Sequence, residues 1–367
     1  MRSWLRKLLS MNWILFMLMF GLMIYGVYAI YSATWMIPDQ RFWKSQIVWI
    51  IAALPVFFII SLVDYRWIRL GAVPCYLLSV LGLGAVLLFG ERRYGAQAWL
   101  NLGFMSVQPS QFAVLAGIMT IAVYLEATKK MSPVLRILGC GAIVGAPWLL
   151  ILVEPDLGMC IVWVPMVLAL LFVGDIPKRW LLAMIILGVA IVPLVVNFAL
   201  KPYQYARITS FVDPYLDPQG NGWNIIQSLT AIGSGGFSGK GFKASNTLNE
   251  LGFLPTTIKH NDFIFAVLGE QHGFLGGILL IAALGLLLLT GLYIAMKAED
   301  GLGQLLAVGI VMLIFTFTFL NIGMTISITP ITGLPLPLIS YGGSFLMMIL
   351  FGLGILQSIW IHRKTVR

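Results

Sequence analysis

Apolar residues run through this chain in long blocks rather than at amphipathic spacing. The blocks fall at about residues 13–31, 47–62, 71–90, 112–125, 137–153, 157–173, 180–200, 263–296, 305–328 and 345–361. A helix needs roughly 20 apolar residues to cross a bilayer core, and several blocks approach that length. Inside lipid every backbone N–H and C=O must find an internal partner, so these blocks predict helices. Segment length and periodicity exclude a barrel. The expected fold is an all-α polytopic membrane protein of about ten transmembrane helices, with 1–367 forming a single membrane domain. The block at 13–31 is long enough to span, so it reads as the first transmembrane helix and not as a cleaved leader.

Composition agrees. Of the 367 residues 60% are hydrophobic and 10% charged, with a mean hydropathy of +0.95. Soluble domains carry about a quarter charged residues, so a soluble protein is excluded. The net charge of +9 does not imply nucleic acid, because its distribution has a membrane explanation. With both termini cytoplasmic, fourteen Lys and Arg fall on the inner side, from Arg2, Arg6 and Lys7 to Arg363, Lys364 and Arg367. Four, Arg41, Lys44, Arg92 and Arg93, fall in short outer loops. That bias fixes orientation and makes the large loop between spans 7 and 8, about residues 200–262, extracytoplasmic. Cys75, Cys140 and Cys160 lack any paired spacing and read as small buried hydrophobes.

The outer loops are the distinctive ones. Residues 91–111 hold Trp99-Leu100-Asn101-Leu102-Gly103 and Gln108-Pro109-Ser110-Gln111. The loop at 200–262 is the longest, and an unstructured connection of about 60 residues is usually functional. Residues 324–343 carry prolines and glycines too dense for a helix, and broken backbone at membrane depth requires burial in protein or a wet cavity.

Few polar groups remain for chemistry. Asp64, Glu126, Asp175, Glu299 and Asp300 face inward among loop bases and helix ends, where solvation and helix termini explain them. On the outer side, Asp262 immediately precedes the apolar run at Phe263, with Lys259, His260 and Asn261 beside it. It reads either as a helix N-cap or as a general base at the membrane surface. Glu154-Pro155-Asp156 places two carboxylates between spans. Asp156 either caps the following helix or joins Glu154 in holding a cation or polar ligand. Glu270 and His272 are ionisable groups deeper in the same segment, a functional hypothesis unless the helix starts outside the membrane. Gly233-Ser234-Gly235-Gly236 and Gly239-Lys240-Gly241 form either a flexible loop or an anion-binding one, and they do not match a nucleotide P-loop.

Taken together the motifs resemble the SEDS family (shape, elongation, division, sporulation), its rod-shape branch more than its division branch. The match is carried by Tyr31-Ser32-Ala33, Trp99 to Gly103, Gln108-Pro109-Ser110, Glu154-Pro155-Asp156-Leu157-Gly158 and Asp213-Pro214. It continues through Ile226-Gln227-Ser228, the Gly-Lys loop, His260-Asn261-Asp262-Phe263, Asn321-Ile322-Gly323-Met324, Gly333-Leu334-Pro335-Leu336-Pro337 and Ser340-Tyr341-Gly342-Gly343-Ser344. The resemblance runs from first span to last. It implies a peptidoglycan glycosyltransferase that polymerises lipid II on the outer face of the bacterial cytoplasmic membrane during cell elongation. The essential acid of the family maps onto Asp262, as the base that deprotonates the acceptor 4-hydroxyl. Lys240 and Arg207 are the candidates to meet the departing pyrophosphate, and Asp156, Glu154, Gln108, His260, Ser340 and Tyr341 are further candidate substrate contacts.

The implied partners are lipid II and the nascent glycan strand, a class B penicillin-binding protein transpeptidase and other elongation-complex membrane proteins, with no nucleic acid. No cofactor is firmly implied. A divalent cation, Mg or Mn, bridging pyrophosphate and Asp156 or Asp262 is chemically reasonable. Four positions depart from the family pattern: Gln111 and Val114 stand where Glu and Lys are usual, Thr256 replaces a Glu, and Asn261 replaces a Thr. Losing an acid and a base together is the replacement of an ion pair by neutral groups, which can cost nothing. Two rival functions keep the same residues: a flippase for the lipid-linked precursor, which calls for a midplane polar site, and a scaffold for a partner enzyme, which leaves Asp262 without a role.

Overall fold

A computed structural model describes residues 7–36, 41–93, 96–101, 103, 106–198, 200, 202–220, 222–255 and 258–363. Arg2, Arg6, Leu102, Lys201, Thr256, Lys364 and Arg367 lie outside the described residues. Among the described residues ten apolar helices make up the body: α1 Trp13–Thr34, α2 Phe42–Leu62, α3 Ile68–Phe89, α4 Pro109–Ala127, α5 Pro133–Val153 and α6 Leu157–Val173. After α7 Lys178–Phe198, two short helices, α8 Pro202–Val212 and α9 Trp223–Ser234, precede α10 Ile264–Met296, α11 Gly301–Thr325 and α12 Gly343–Ile361. Nine of the ten are long and apolar enough to cross a membrane, and α6 is a shorter apolar helix of 17 residues. The protein is a multi-pass membrane protein.

Local chemistry sets the helix starts. Asn12 accepts from the Leu15 amide, Asp156 from Met159 and Asp300 from Gly303, each satisfying an amide that the first turn leaves open. Pro109 and Pro133 occupy first-turn positions, where a missing N–H costs nothing. Helices α4, α11 and α12 are mostly buried and form the centre, whereas α7 is exposed along nearly its whole length and faces lipid. Inner-side acids behave as loop partners: Arg66 bonds Glu299, Arg69 pairs with Asp300 at 3.3 Å, and Lys129 with Glu126 at 2.7 Å.

Three expectations change. The connection at 200–262 is not structureless, since α8, a 3-10 turn Pro214–Leu216 and α9 build much of it. The loop at 91–111 holds a small antiparallel sheet, β1 Glu91–Arg93, β2 Ala96–Asn101 and β3 Ser106–Val107. The block at 263–296 is two helices rather than one, because Gly273 sits at φ 62°, ψ −161°, a conformation open to glycine alone.

That break has a structural partner. Beyond it the amides of Phe274 and Leu275 donate to the carbonyls of Gly236 and Phe237. In return the amides of Lys240 and Gly241 donate to the carbonyls of Glu270 and Gln271, both at 3.0 Å. The glycine-rich loop thus satisfies backbone groups that the break exposes, as lipid depth demands. A side chain on Gly273 would place its Cβ 2.4 Å from the Gly239 nitrogen, and on Gly239, 2.1 Å from the Gln271 oxygen.

Candidate active site

Asp262 lies in the turn before α10 and does not cap it: the N-cap position is Phe263, and no side chain serves it. The capping alternative for Asp262 is thereby removed. Among the described residues no donor bonds its carboxylate. What holds it is backbone: the Asp262 amide donates to the Ile258 carbonyl at 2.9 Å, and its own carbonyl accepts from Asn321 Nδ2 at 3.0 Å. The same Asn321 nitrogen donates to the Leu334 carbonyl at 2.7 Å, tying α11 to both the turn and the Pro-Gly stretch.

The stretch 326–342 is irregular, and much of it is buried, with Leu336 and Ile339 fully so. Asp262 Oδ2 lies 3.6 Å from where a Cβ on Gly333 would stand, and Gly333 takes φ 70°, which favours glycine at this close approach. Gly158 packs on the Thr332 carbonyl, where a Cβ would come to 2.6 Å, and this brings the start of α6 against the same stretch.

Asp156 at that start is both cap and site residue. One oxygen accepts from the Met159 amide at 3.0 Å and the other from Gln108 Nε2 at 2.9 Å. Gln108 Oε1 in turn accepts from Gln111 Nε2 at 2.9 Å, and Gln111 Oε1 from the Ser344 hydroxyl at 3.1 Å. A relay of neutral groups thus runs from α12 through α4 to α6. Gln111 and Val114 are both buried there, so the substitution of the usual ion pair leaves a bonded amide beside an apolar residue.

Burial pushes the Asp262 carboxyl up to about 7; Arg207 opposes this and Asp156 reinforces it. Asp156 is also raised by burial, while the Met159 amide, Arg207 and Gln108 favour its charged form. Arg207, on α8, donates to the Ile331 carbonyl at 3.4 Å, and its charge acts on both acids. Glu154 is 1% exposed, and neither of its oxygens has a hydrogen-bond partner among the described residues. Burial, then the Asp156 charge, lifts its carboxyl to about 8, so it is protonated at neutral pH.

Other expected contacts are placed differently. Lys240 donates to Glu270 Oε1 at 2.7 Å, and the fully buried Glu270 also accepts from the Leu248 and Asn249 amides. The ammonium therefore anchors its own loop, and Arg207 is the cation whose charge reaches Asp262. His260 is buried with its ring 4.0 Å from that of Phe42, and burial followed by the Lys259 charge pushes it down to about 4, leaving it neutral. Ser340 is buried too, accepting from the Leu336 amide and donating to the Asn261 carbonyl. Packing and bonding within the protein engage both side chains and shape the turn. Tyr341 is half-buried against Phe42 and His260, and its amide donates to the His260 carbonyl at 3.0 Å.

Asn321, Gln111, Ser344 and Gln46 had no role assigned from sequence. Gln46 Nε2 donates to the Ser340 carbonyl at 3.4 Å and its Oε1 accepts from the Gly342 amide at 3.3 Å. The available signal was an amide or hydroxyl within an apolar helix. Among the described residues no group of three or more His, Cys, Asp or Glu is placed to hold a metal ion. The donor set suits a cation shared with substrate phosphates rather than an all-protein cage.

The family model for FTSW_RODA_SPOVE, described as cell cycle protein, matches residues 6–365. The chain is 36% identical over 351 residues to peptidoglycan glycosyltransferase MrdB of Escherichia coli (strain K12), covering 95% of this chain and 93% of that one. It is 35% identical over 356 residues to stage V sporulation protein E of Bacillus subtilis (strain 168), covering 92% and 93%. Among solved structures, a chain from a peptidoglycan synthase complex described as coordinating polymerization and crosslinking matches with a TM-score of 0.81 at 30% identity, covering 96% and 98%. The rod shape determining protein RodA of Thermus thermophilus matches at 0.73 and 27%, covering 97% and 98%. The chain belongs to the FtsW, RodA and SpoVE family of cell cycle proteins.

Proposed function

We propose that this protein is a peptidoglycan glycosyltransferase that polymerises lipid II on the outer face of the bacterial cytoplasmic membrane during cell elongation. The observation that carries the reading is Asp262: an acid with no internal hydrogen-bond donor, raised to about 7, at the mouth of α10 with Arg207 and Asp156 acting on it. A general base works best with a pKa near the working pH. Asp262 takes the proton of the acceptor 4-hydroxyl as that oxygen attacks the anomeric carbon of the donor. The bond to pyrophosphate breaks, and its electron pair leaves with the phosphate. Attack from the opposite face inverts the centre, giving a β-1,4 link from an α-linked donor. Arg207 stabilises the charge that develops on the leaving group, and Asp156, held by Gln108, adds a second carboxylate whose charge it meets.

The carboxylates of the site, Glu154, Asp156 and Asp262, lie at helix ends rather than midway along them, which supports polymerisation over transport. A class B penicillin-binding protein transpeptidase is the expected partner, together with other membrane proteins of the elongation complex. This fits the similarity to a chain of a synthase complex that coordinates polymerization and crosslinking.

Purified protein, with and without the transpeptidase, is expected to extend lipid II into glycan polymer resolved on gels. Asp262→Asn keeps size and fold and is expected to abolish product. Product at the wild-type rate from that variant refutes the assignment. The base must be deprotonated to act, so below about pH 7 the rate falls roughly tenfold per pH unit, and above it the rate levels off. A rate flat from pH 5 to 8 rules out Asp262 as the base.

A further inference from the structure

One face of α1 carries a second arrangement that shares no residue with the Asp262 site. Its lower part is a groove of about 290 Å³, where Met17, Gly21 and Tyr25 of α1 face Gly276, Leu279 and Ala283 of α10. Glycine keeps it open: nothing lies within 4 Å of the place a Cβ on Gly21 would take. At 1.5 Å per residue the groove runs about 12 Å along α1. Its lining is apolar except for the Tyr25 hydroxyl.

Above the groove, Tyr25, Tyr28 and Tyr31 recur every third residue and climb about 9 Å further. Tyr25 stacks on Tyr28 at 5.9 Å, and Tyr28 on Phe242 at 4.8 Å. The Tyr25 and Tyr28 hydroxyls meet the two ring nitrogens of His272 at 3.5 and 3.3 Å. At the top, Lys243 Nζ donates to the Tyr31 hydroxyl at 2.7 Å and lies over the Tyr31 and Trp35 rings. Lys44 lies over Trp43, whose ring contacts that of Tyr31. Both ammoniums are exposed, and among the described residues neither pairs with a carboxylate.

We propose that this face binds one anionic glycerophospholipid of the outer leaflet. Its acyl chain lies in the groove, its ester region beside the tyrosine hydroxyls, and its phosphate at Lys243 and Lys44. Two features select a lipid. The two cations, neither paired with a carboxylate among the described residues, complement a phosphate. Trp35, Trp43 and Tyr31 mark the level where headgroups lie, since such rings gather at membrane interfaces.

Native mass spectrometry tests this on the detergent-purified full chain, incubated with equal amounts of dioleoyl phosphatidylglycerol and dioleoyl phosphatidylcholine. Wild-type protein is expected to retain one phosphatidylglycerol in preference to phosphatidylcholine. Lys243→Asn, with a residue that tolerates positive φ, lowers that preference roughly fivefold, the ratio for one lysine at a membrane surface. Gly21→Leu, whose side chain enters the open groove, removes bound lipid of both kinds. Lys44→Asn and Ala283→Leu repeat the two arms should either first variant melt below the wild type. Equal retention by wild type and all folded variants overturns the proposal. So does a wild type without preference, or a retained polypeptide in place of lipid.

Discussion

Glu154 combines near-complete burial with two carboxyl oxygens that have no hydrogen-bond partner among the described residues. Such a group stays protonated in the fold to about pH 8 but ionises near its ordinary value once the chain unfolds. The folded state then binds more protons than the unfolded one between about pH 4.5 and 8, and stability falls as pH rises through that window. Glu154→Gln removes the titration while keeping the shape. Its melting temperature in detergent is expected to decline less than that of the wild type between pH 5 and 8. Identical slopes would show that Glu154 does not titrate across the window. Asp156, two residues on, was legible from sequence as a cap. Its second bond, to Gln108, was not, because it depends on α4 and α6 meeting.

At the scale of elements, α10 shows how one residue redirects a long apolar block. Gly273 adopts a glycine-only backbone, and the break it makes is filled by the Gly-Lys loop, with Glu270 beneath accepting from Lys240 and two amides. Gly273→Ala therefore meets backbone strain and a 2.4 Å contact together. It is expected to destabilise by more than about 2 kcal/mol, read as a lowered melting temperature and faster proteolysis within 233–250. A melting temperature matching the wild type would show that the break can shift. Hydropathy alone drew this segment as one span, since a break without proline leaves the apolar run intact. The glycine-lysine pattern was visible as a loop, but its use as a plug depends on contacts between segments over thirty residues apart.

For the whole molecule, the topology expected from the basic residues, with both ends cytoplasmic, puts the α8 and α9 region and the Asp262 turn on the outer side. Cysteine introduced for Tyr215, 71% exposed, is expected to react with a membrane-impermeant thiol reagent in intact cells. One introduced for Lys130 should react only after permeabilisation. Cys75, expected from sequence to be buried, is exposed, and it is replaced by Ser in both. Labelling of both positions in intact cells would reverse the orientation. The sequence alone predicted a helical polytopic fold and an orientation, because lipid forces long apolar blocks into helices and basic residues mark the inner loops. The sequence also singled out Asp262 through its motif and its place before α10. Tertiary structure alone decided that Asp262 stands beside Gly333 with Arg207 and Asp156 acting on it, that Lys240 is taken by Glu270, and that His260 and Ser340 are buried. These outcomes depend on which segments meet. In a chain with so few polar groups, each one's role is settled by the partner that the packing brings within bonding distance.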